Sequence, residues 1–251
     1  GAGTYTREAK DGSCNTSWAT STGSWVVTAN TAPTAPGSIS GTSPICNGAS
    51  TTLTASGGSN GSGAVYEWGS GAVSNANVIS GATTSTYSAS PTSTTTYWVR
   101  RVGTTECTNT TSTASMIVTV HSTFSAGAIS TTGETMCAGD DPGNIASSTA
   151  ASGGNSSITY QWLKGSTVLS SSNTASYNPS VSNGAGTYTR QAHDGSCNTS
   201  WATSTGSWVV TANTAPTAPT SISGISNICS GDQTTLTAIG GNVGSGAAYE
   251  W

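Results

Sequence analysis

Residues 1–68 recur almost unchanged as residues 184–251. The displacement is about 183 positions, and self-similarity at a fixed period is the sequence signature of an array in which one structural unit is stacked repeatedly. Both copies open on Gly-Ala-Gly-Thr-Tyr-Thr-Arg and close on Tyr-Glu-Trp. About 12 of the 68 aligned positions differ, among them Glu8 against Gln191, Lys10 against His193 and Ser56 against Ile239. The opening run reads as the middle of a strand, so the chain is expected to begin inside one domain and to end inside another.

A weaker repeat lies within the period. Residues 35–120 carry Ile45-Cys46, Thr51-Thr52-Leu53-Thr54, Tyr66-Glu67-Trp68, Thr96-Tyr97-Trp98-Val99, Cys107 and a closing run from Met116 to Val120. Residues 121–213 follow the same order with Met136-Cys137, Tyr160-Gln161-Trp162, Thr187-Tyr188-Thr189-Arg190, Cys197 and Trp208 to Ala212. One period therefore holds two related domains, an A-type (35–120) and a B-type (121–213). Each is roughly the size of a seven-stranded sandwich. Residues 1–34 read as the C-terminal strands of a B-type domain plus a Pro-rich linker. Residues 214–251 read as the same linker plus the N-terminal strands of a further A-type domain. The linker Thr31-Ala32-Pro33-Thr34-Ala35-Pro36 returns as Thr214 to Pro219, and proline at that density favours an extended, semi-rigid connection. The A-to-B junction at His121-Ser122-Thr123-Phe124 is short and lacks Pro.

Composition selects the kind of domain. Only 6% of residues are charged and 33% hydrophobic, with 32 Gly, 8 Trp and 8 Tyr. Strong helix formers are scarce, whereas Thr, Val, Tyr and Trp suit pleated strands and Gly, Asn and Ser suit the turns between them. The expected fold is all-β: tandem immunoglobulin-like β-sandwich domains of two alternating types, with a period of about 183 residues. With a net charge of −4 and six Lys and Arg in all, no basic surface can be assembled to track phosphates, which excludes nucleic acid as a partner. No apolar run reaches the length of a membrane span.

The ordered set Cys46-Asn47-Gly48, Tyr66-Glu67-Trp68, Pro91 to Val99, Cys107 and Ile117-Val118-Thr119-Val120 resembles the Ig-like and PKD-like tandem repeats of large secreted surface proteins of the Bacteroidota. Many of these are gliding or attachment adhesins exported by the type IX pathway. The resemblance covers essentially the whole chain and implies export, display at the cell surface and an adhesive role. It names no ligand, because one fold hosts many functions.

Cys46 and Cys107, and again Cys137 and Cys197, stand about 60 residues apart at equivalent places, which suggests one disulfide per domain. Each such bond would contribute roughly 2–4 kcal/mol. The standard sandwich topology argues against these pairs, since it puts one cysteine before the second strand and the other after the penultimate one, near opposite ends. Pairing across a junction, such as Cys46 with Cys197, is the alternative. Cys14 and Cys229 are expected to find their partners outside the chain.

Catalysis needs a nucleophile, a base and an orienting group in one cluster. The chain offers two isolated histidines, His121 and His193, and Lys10 replaces the second in the other copy. The protein is therefore read as no enzyme, with no catalytic residue, metal site or cofactor. Asp140, Asp141 and Asp11 read as turn residues rather than calcium ligands. Asn-x-Ser/Thr occurs at Asn15, Asn109, Asn155 and Asn198, the candidate glycosylation sites. Trp68, Trp162 and Trp251 are expected in the core on the third strand, with Tyr97 and Tyr188 facing inward. Alternation then turns Trp98 and Arg100 outward. Trp18, Trp98 and Trp201 are the candidate surface contacts.

The function expected from the sequence is a structural or adhesive segment of an extracellular stalk or filament. Its partners are neighbouring repeats of the same chain, with homo-assembly into a fibre as an extension. The alternative is a repeated glycan-binding module that presents exposed Trp residues to a polysaccharide with avidity.

Overall fold

The computed structural model of the protein describes residues 1–14, 16–103, 107–169, 173–246, 248 and 250. The chain divides into two compact units, residues 1–121 and 122–251. Among the described residues no helix is long and apolar enough to cross a membrane.

The first unit opens with β1 (Gly3–Tyr5), β2 (Glu8–Ala9), β3 (Ala19–Thr20) and β4 (Trp25–Val27). β1 pairs with β4 and β2 with β3, both antiparallel. A complete sandwich follows, built from β5 (Ser38–Ser40), β6 (Ile45–Cys46), β7 (Thr51–Ser56), β8 (Val65–Ser70), β9 (Thr86–Ala89), β10 (Thr95–Val102), β11 (Ala114–Val118) and β12 (Val120–His121). One sheet has the order β5-β7-β9 and the other β11-β10-β8, and the short β6 runs parallel to β12.

The core follows from alternation. Along β7, Thr51, Leu53 and Ala55 are buried while Thr52 and Ser56 are exposed. Ile45, Leu53, Ala55, Trp68, Ala89, Tyr97, Val99 and Val118 form the buried cluster. Trp68 packs tilted against Tyr87 at a centroid distance of 5.9 Å, and Tyr87 lies 5.8 Å from Tyr97. The indole N–H of Trp68 donates to the Thr84 carbonyl at 2.9 Å, so the polar end of the ring is satisfied inside the core.

The second unit holds β13 (Ala128–Ile129), β14 (Glu134–Cys137), β15 (Ser147–Thr149), β16 (Thr159–Lys164), β17 (Thr167–Val168), β18 (Gly186–His193), β19 (Ala202–Thr203), β20 (Trp208–Asn213), β21 (Ser221–Ser223) and β22 (Thr237–Ile239). Its large sheet has the order β14-β20-β18-β16-β17, with β19 on β18 and β14 parallel to β20. The opposing sheet is β13-β15, continued by a bridge between Ile145 and Tyr177. Trp162 takes the place of Trp68: it is fully buried, stacks on Tyr177 at 5.6 Å and donates its N–H to the Thr174 carbonyl at 3.0 Å. Two facing sheets, mainly antiparallel with a parallel first-to-last strand pair, make each unit's complete domain an immunoglobulin-like β-sandwich, as expected. Trp68 and Trp162 lie in the cores on the Tyr-x-Trp strands β8 and β16, and Tyr97 and Tyr188 point inward. Trp251 lies outside the described residues.

Trp98 corrects the sequence reading. Alternation does turn it to the outer face of β10, beside Arg100, but the ring is fully buried. Its cross-strand neighbour is Gly69, and a Cβ there would come within 2.0 Å of the indole. The missing side chain is the space in which the ring lies. The Arg100 guanidinium caps the ring at 5.3 Å and is itself held by Glu67 at 2.5 Å and Asn75 at 2.7 Å. Trp98 is therefore part of a second, outer packing layer rather than a surface contact.

Each sandwich also buries an arginine whose hydrogen-bond partners among the described residues include no carboxylate. Arg190, fully buried, donates from Nη1 to the Ala175 carbonyl (2.6 Å) and from Nη2 to the carbonyls of Ala126 (3.1 Å), Ala128 (3.3 Å) and Thr149 (3.0 Å). It also reaches the hydroxyls of Ser204 and Ser147 at 2.9 and 2.7 Å. Arg101 does the same work in the first sandwich, donating to the carbonyls of Thr34 (2.8 Å) and Gly57 (3.0 Å), Asn60 Oδ1 (2.6 Å) and the Tyr66 hydroxyl (2.7 Å). Each guanidinium lies over the tyrosine of Tyr-x-Trp, Arg101 at 4.6 Å from Tyr66 and Arg190 at 5.0 Å from Tyr160. Burial pulls the Arg190 pKa below the ordinary guanidinium value, opposed by Tyr160, and the charge is held by carbonyl dipoles.

Arg7 is the copy of Arg190 and is exposed. In the 251-residue chain, Arg190→Ala is expected to cost on the order of 3 kcal/mol or more, because several buried acceptors lose their donor at once. Arg7→Ala should stay within about 0.5 kcal/mol. Urea denaturation followed by tryptophan fluorescence measures both, and equal effects would refute the clamp.

Candidate functional site

The strand β18 ends at His193, and the loop after it is organised by one carboxylate. Asp194 is buried, and its Oδ1 accepts the backbone N–H groups of Ser196 (3.0 Å) and Asn198 (2.6 Å) while Oδ2 accepts that of Asn155 (2.8 Å). Gly154 makes room for it, since a Cβ there would sit 1.7 Å from Asp194 Oδ2 and the residue has φ +56°. Burial works against ionisation of Asp194, but the N–H donors of Asn198, Asn155, Ser196 and Cys197 together outweigh it and hold the pKa below the ordinary carboxylate value. The loop fixed in this way carries Cys197 and leads into Trp201, just before β19.

Trp201 is 38% exposed and meets the His193 imidazole edge-on at a centroid distance of 4.1 Å. In the other copy Trp18 is 59% exposed, and Lys10 Nζ lies over its ring at 4.7 Å. Position 10 or 193 thus pairs with the same tryptophan in both copies. A cation or an imidazole answers the same π face, which explains why the substitution between copies is tolerated. Trp18 and Trp201 are both exposed.

The cysteines require a correction. Cys46 and Cys197 are the disulfide-bonded cysteines, whereas Cys14, Cys107, Cys137 and Cys229 are free thiols. The intradomain pairs Cys46–Cys107 and Cys137–Cys197 do not form, because strand length separates them. Cys46 lies beside His121, and the neighbouring Asn47 reaches the Thr92 carbonyl at 3.0 Å, just before β10 begins. Cys107 lies past the far end of β10, its carbonyl against Gly103. Eight residues of strand span roughly 25 Å, well beyond the Cα separation of about 7 Å that a disulfide tolerates. In the second sandwich Cys137 pairs with Asn213 beyond the Gly186 end of β18, while Cys197 follows its His193 end.

Of the candidate glycosylation sites, Asn109 is exposed, and Asn155 and Asn198 are half-buried. The Asn198 amide donates to the Ser200 carbonyl at 2.8 Å, and Asn155 Oδ1 accepts the Ser157 N–H at 2.8 Å. Asn15 lies outside the described residues. Asp11 accepts the N–H groups of Ser13 and Cys14, and Asp140 that of Cys137, so both act as turn residues. Among the described residues no three His, Cys, Asp or Glu side chains gather as metal ligands. Arg101, Arg190 and Asp194 were not singled out from the sequence. Counting in twos from Tyr97 and Tyr188 puts both arginines on the inner face, which was the available signal.

Residues 35–122 match a family described as a domain of unknown function (DUF8696), about a third of the chain. None of the curated proteins matches the sequence. Among solved structures, the chain is similar to the three N-terminal domains of the highly immunogenic outer capsid protein (Hoc) of bacteriophage RB49, at 15% identity and a TM-score of 0.36, covering 83% of this chain and 70% of that one. It is likewise similar to extracellular domains 3–5 of Drosophila OTK, at 14% identity and a TM-score of 0.39, covering 83% and 71%. Murine CEACAM1b is similar at 15% identity and a TM-score of 0.34, over 69% of this chain and 98% of its own.

Because the Asp194 pKa is depressed in the folded state, its contribution to stability is complete above the unfolded carboxylate value of about 3.9 and is lost as pH falls through the lower folded value. Acid titration followed by Trp201 fluorescence should show this loop loosening below about pH 4. Asp194→Asn should remove that acid dependence, and an unchanged acid profile in the variant would contradict the assignment.

Proposed function

We propose that the protein is a structural, adhesive segment of an extracellular stalk or filament, built from alternating A-type (35–120) and B-type (121–213) sandwiches of a surface protein of the Bacteroidota adhesin kind. The observation that carries this reading is the copy itself: residues 1–36 and 184–219 differ only at positions 8 and 10 of the first copy. A length-determining array tolerates recent duplication, because each domain is stabilised by its own core and its neighbours. The buried clusters support it too, since the conserved chemistry of both domains is spent on packing and on the arginine clamps. The disulfide-bonded cysteines favour an oxidising, extracellular compartment.

Electron microscopy of the native particle tests the proposal. A string of sandwich-sized beads with a two-domain axial repeat is expected, and a compact particle without axial repeat would overturn it.

A second reading is favoured by one observation. Trp18 and Trp201 present exposed rings beside Lys10 and His193 in both copies, the arrangement of a stacking platform for sugar repeated for avidity. If it holds, the double variant Trp18→Ala/Trp201→Ala loses at least about tenfold in polysaccharide affinity, the effect of roughly 1.4 kcal/mol, in affinity electrophoresis. Unchanged migration eliminates the glycan reading and leaves the stalk intact.

A further inference from the structure

The six cysteines fall into two kinds. Cys46, its copy Cys229 and Cys137 precede the second strand of a sandwich in a Cys-x-Gly motif, while Cys107, Cys197 and its copy Cys14 lie in the loop after the penultimate strand. The two bonded cysteines comprise one of each kind, Cys46 from an A-type and Cys197 from a B-type domain.

Within its own unit, Cys46 lies at the end where the chain leaves the sandwich: it pairs with His121, whose carbonyl accepts the Asn47 N–H at 3.2 Å. Within its own unit, the Cys197 loop lies at the end where the chain enters. Ser122 accepts the Gly154 N–H at 2.9 Å, and the next residue, Asn155, donates to Asp194.

The same two ends recur at the B-to-A junction. Cys137 pairs with Asn213 and is exposed, at the exit of the B-type sandwich. It shares a shallow hollow with residues 213–216 of the linker and with Ser245 and Gly246. Ser245 donates its N–H to the Thr214 carbonyl at 3.1 Å, and its copy Ser62 donates to Thr31 at 2.9 Å, so the linker meets the following A-type domain in the same way in both copies. In the first unit, that entry end carries the Cys107 loop: Arg101 binds the Thr34 carbonyl at 2.8 Å, and two residues later Gly103 lies against Cys107.

We propose that at the B-to-A junction the Cys-x-Gly cysteine of the B-type sandwich is bonded to the loop cysteine of the A-type sandwich that follows it, so that Cys137 and Cys107 are the two halves of that bond. Cys137 takes the Cys107 equivalent of the next A-type domain, and Cys107 takes the Cys137 equivalent of the preceding B-type domain. Cys229 and Cys14 stand in the roles of Cys46 and Cys197 one period on and one period back. Each bond joins two thiols with release of two protons and two electrons. The electrons pass to a disulfide oxidant, a protein or a small molecule, which is reduced to two thiols. The B-to-A junction is then covalently stapled, and a nick in its Pro-rich linker leaves the two domains joined. The inference rests on the tandem-array reading above.

Disulfide mapping of the native protein, denatured and alkylated without reductant, tests it together with the intact mass and a non-reducing gel. Expected is a linked pair of peptides containing Met136-Cys137-Ala138-Gly139 and Cys107-Thr108-Asn109, with Cys46 and Cys197 also resistant to alkylation, in a chain that stays monomeric. Alkylated thiols at both Cys137 and Cys107, intradomain pairs, or reductant-sensitive dimers in a chain longer than one period overturn the stapling and leave the array standing. An intact mass with no room for further domains overturns the array reading, and the stapling with it.

Discussion

A buried guanidinium, bound by no carboxylate among the described residues, ties the two sheets of each sandwich together. The apolar clusters are small, eight buried residues in the first sandwich and six in the second among those described, in a chain rich in Ser and Thr. Arg101 and Arg190 reach from the penultimate strand across the core and bind main-chain carbonyls of the opposite sheet or of the entering linker. Such acceptors at a sheet margin would otherwise be buried and unpaired. One cation satisfies several of them at once, and the tyrosine of Tyr-x-Trp covers its face. The two arginines arrive from different positions: Arg101 stands opposite Tyr66, whereas Arg190 stands opposite Trp162. The clamp, rather than the residue position, is what the two domain types share.

The dependence of burial on the second sheet is visible between the copies. Leu53 is fully buried in the complete A-type sandwich and its copy Leu236 is 50% exposed. Tyr188 is fully buried in the B-type sandwich and its copy Tyr5 is 50% exposed. The copied strands pair locally, β1 with β4 and β21 with β22, while Leu53 and Tyr188 are buried in the cores of the two sandwiches. Local hairpin geometry and tertiary burial are separable in this protein, as expected where strand pairing alone is marginally stable.

The loop after β18 and its copy join the fold to the surface chemistry. Asp194 gathers backbone donors into a rigid turn, and that turn sets the positions of both Cys197 and Trp201. In the first copy Asp11 likewise gathers Ser13 and Cys14. The polar turn forms from local sequence, while its anchoring to the sandwich uses the turn that carries Gly154 and Asn155.

The sequence by itself determined the period, the all-β class, the Tyr-x-Trp strands and the inward direction of Tyr97 and Tyr188, because these depend on residue spacing along the chain and on the two-residue alternation of a strand. It also turned Trp98 to the outer face. Only the tertiary structure decided that Trp98 is buried there, since the space for it comes from Gly69, a residue brought opposite by strand register. Likewise, only the structure decided among the cysteines. A separation of about 60 residues is a contour length, whereas a disulfide depends on which end of a sandwich each cysteine occupies, and β10 and β18 carry the expected partners to opposite ends.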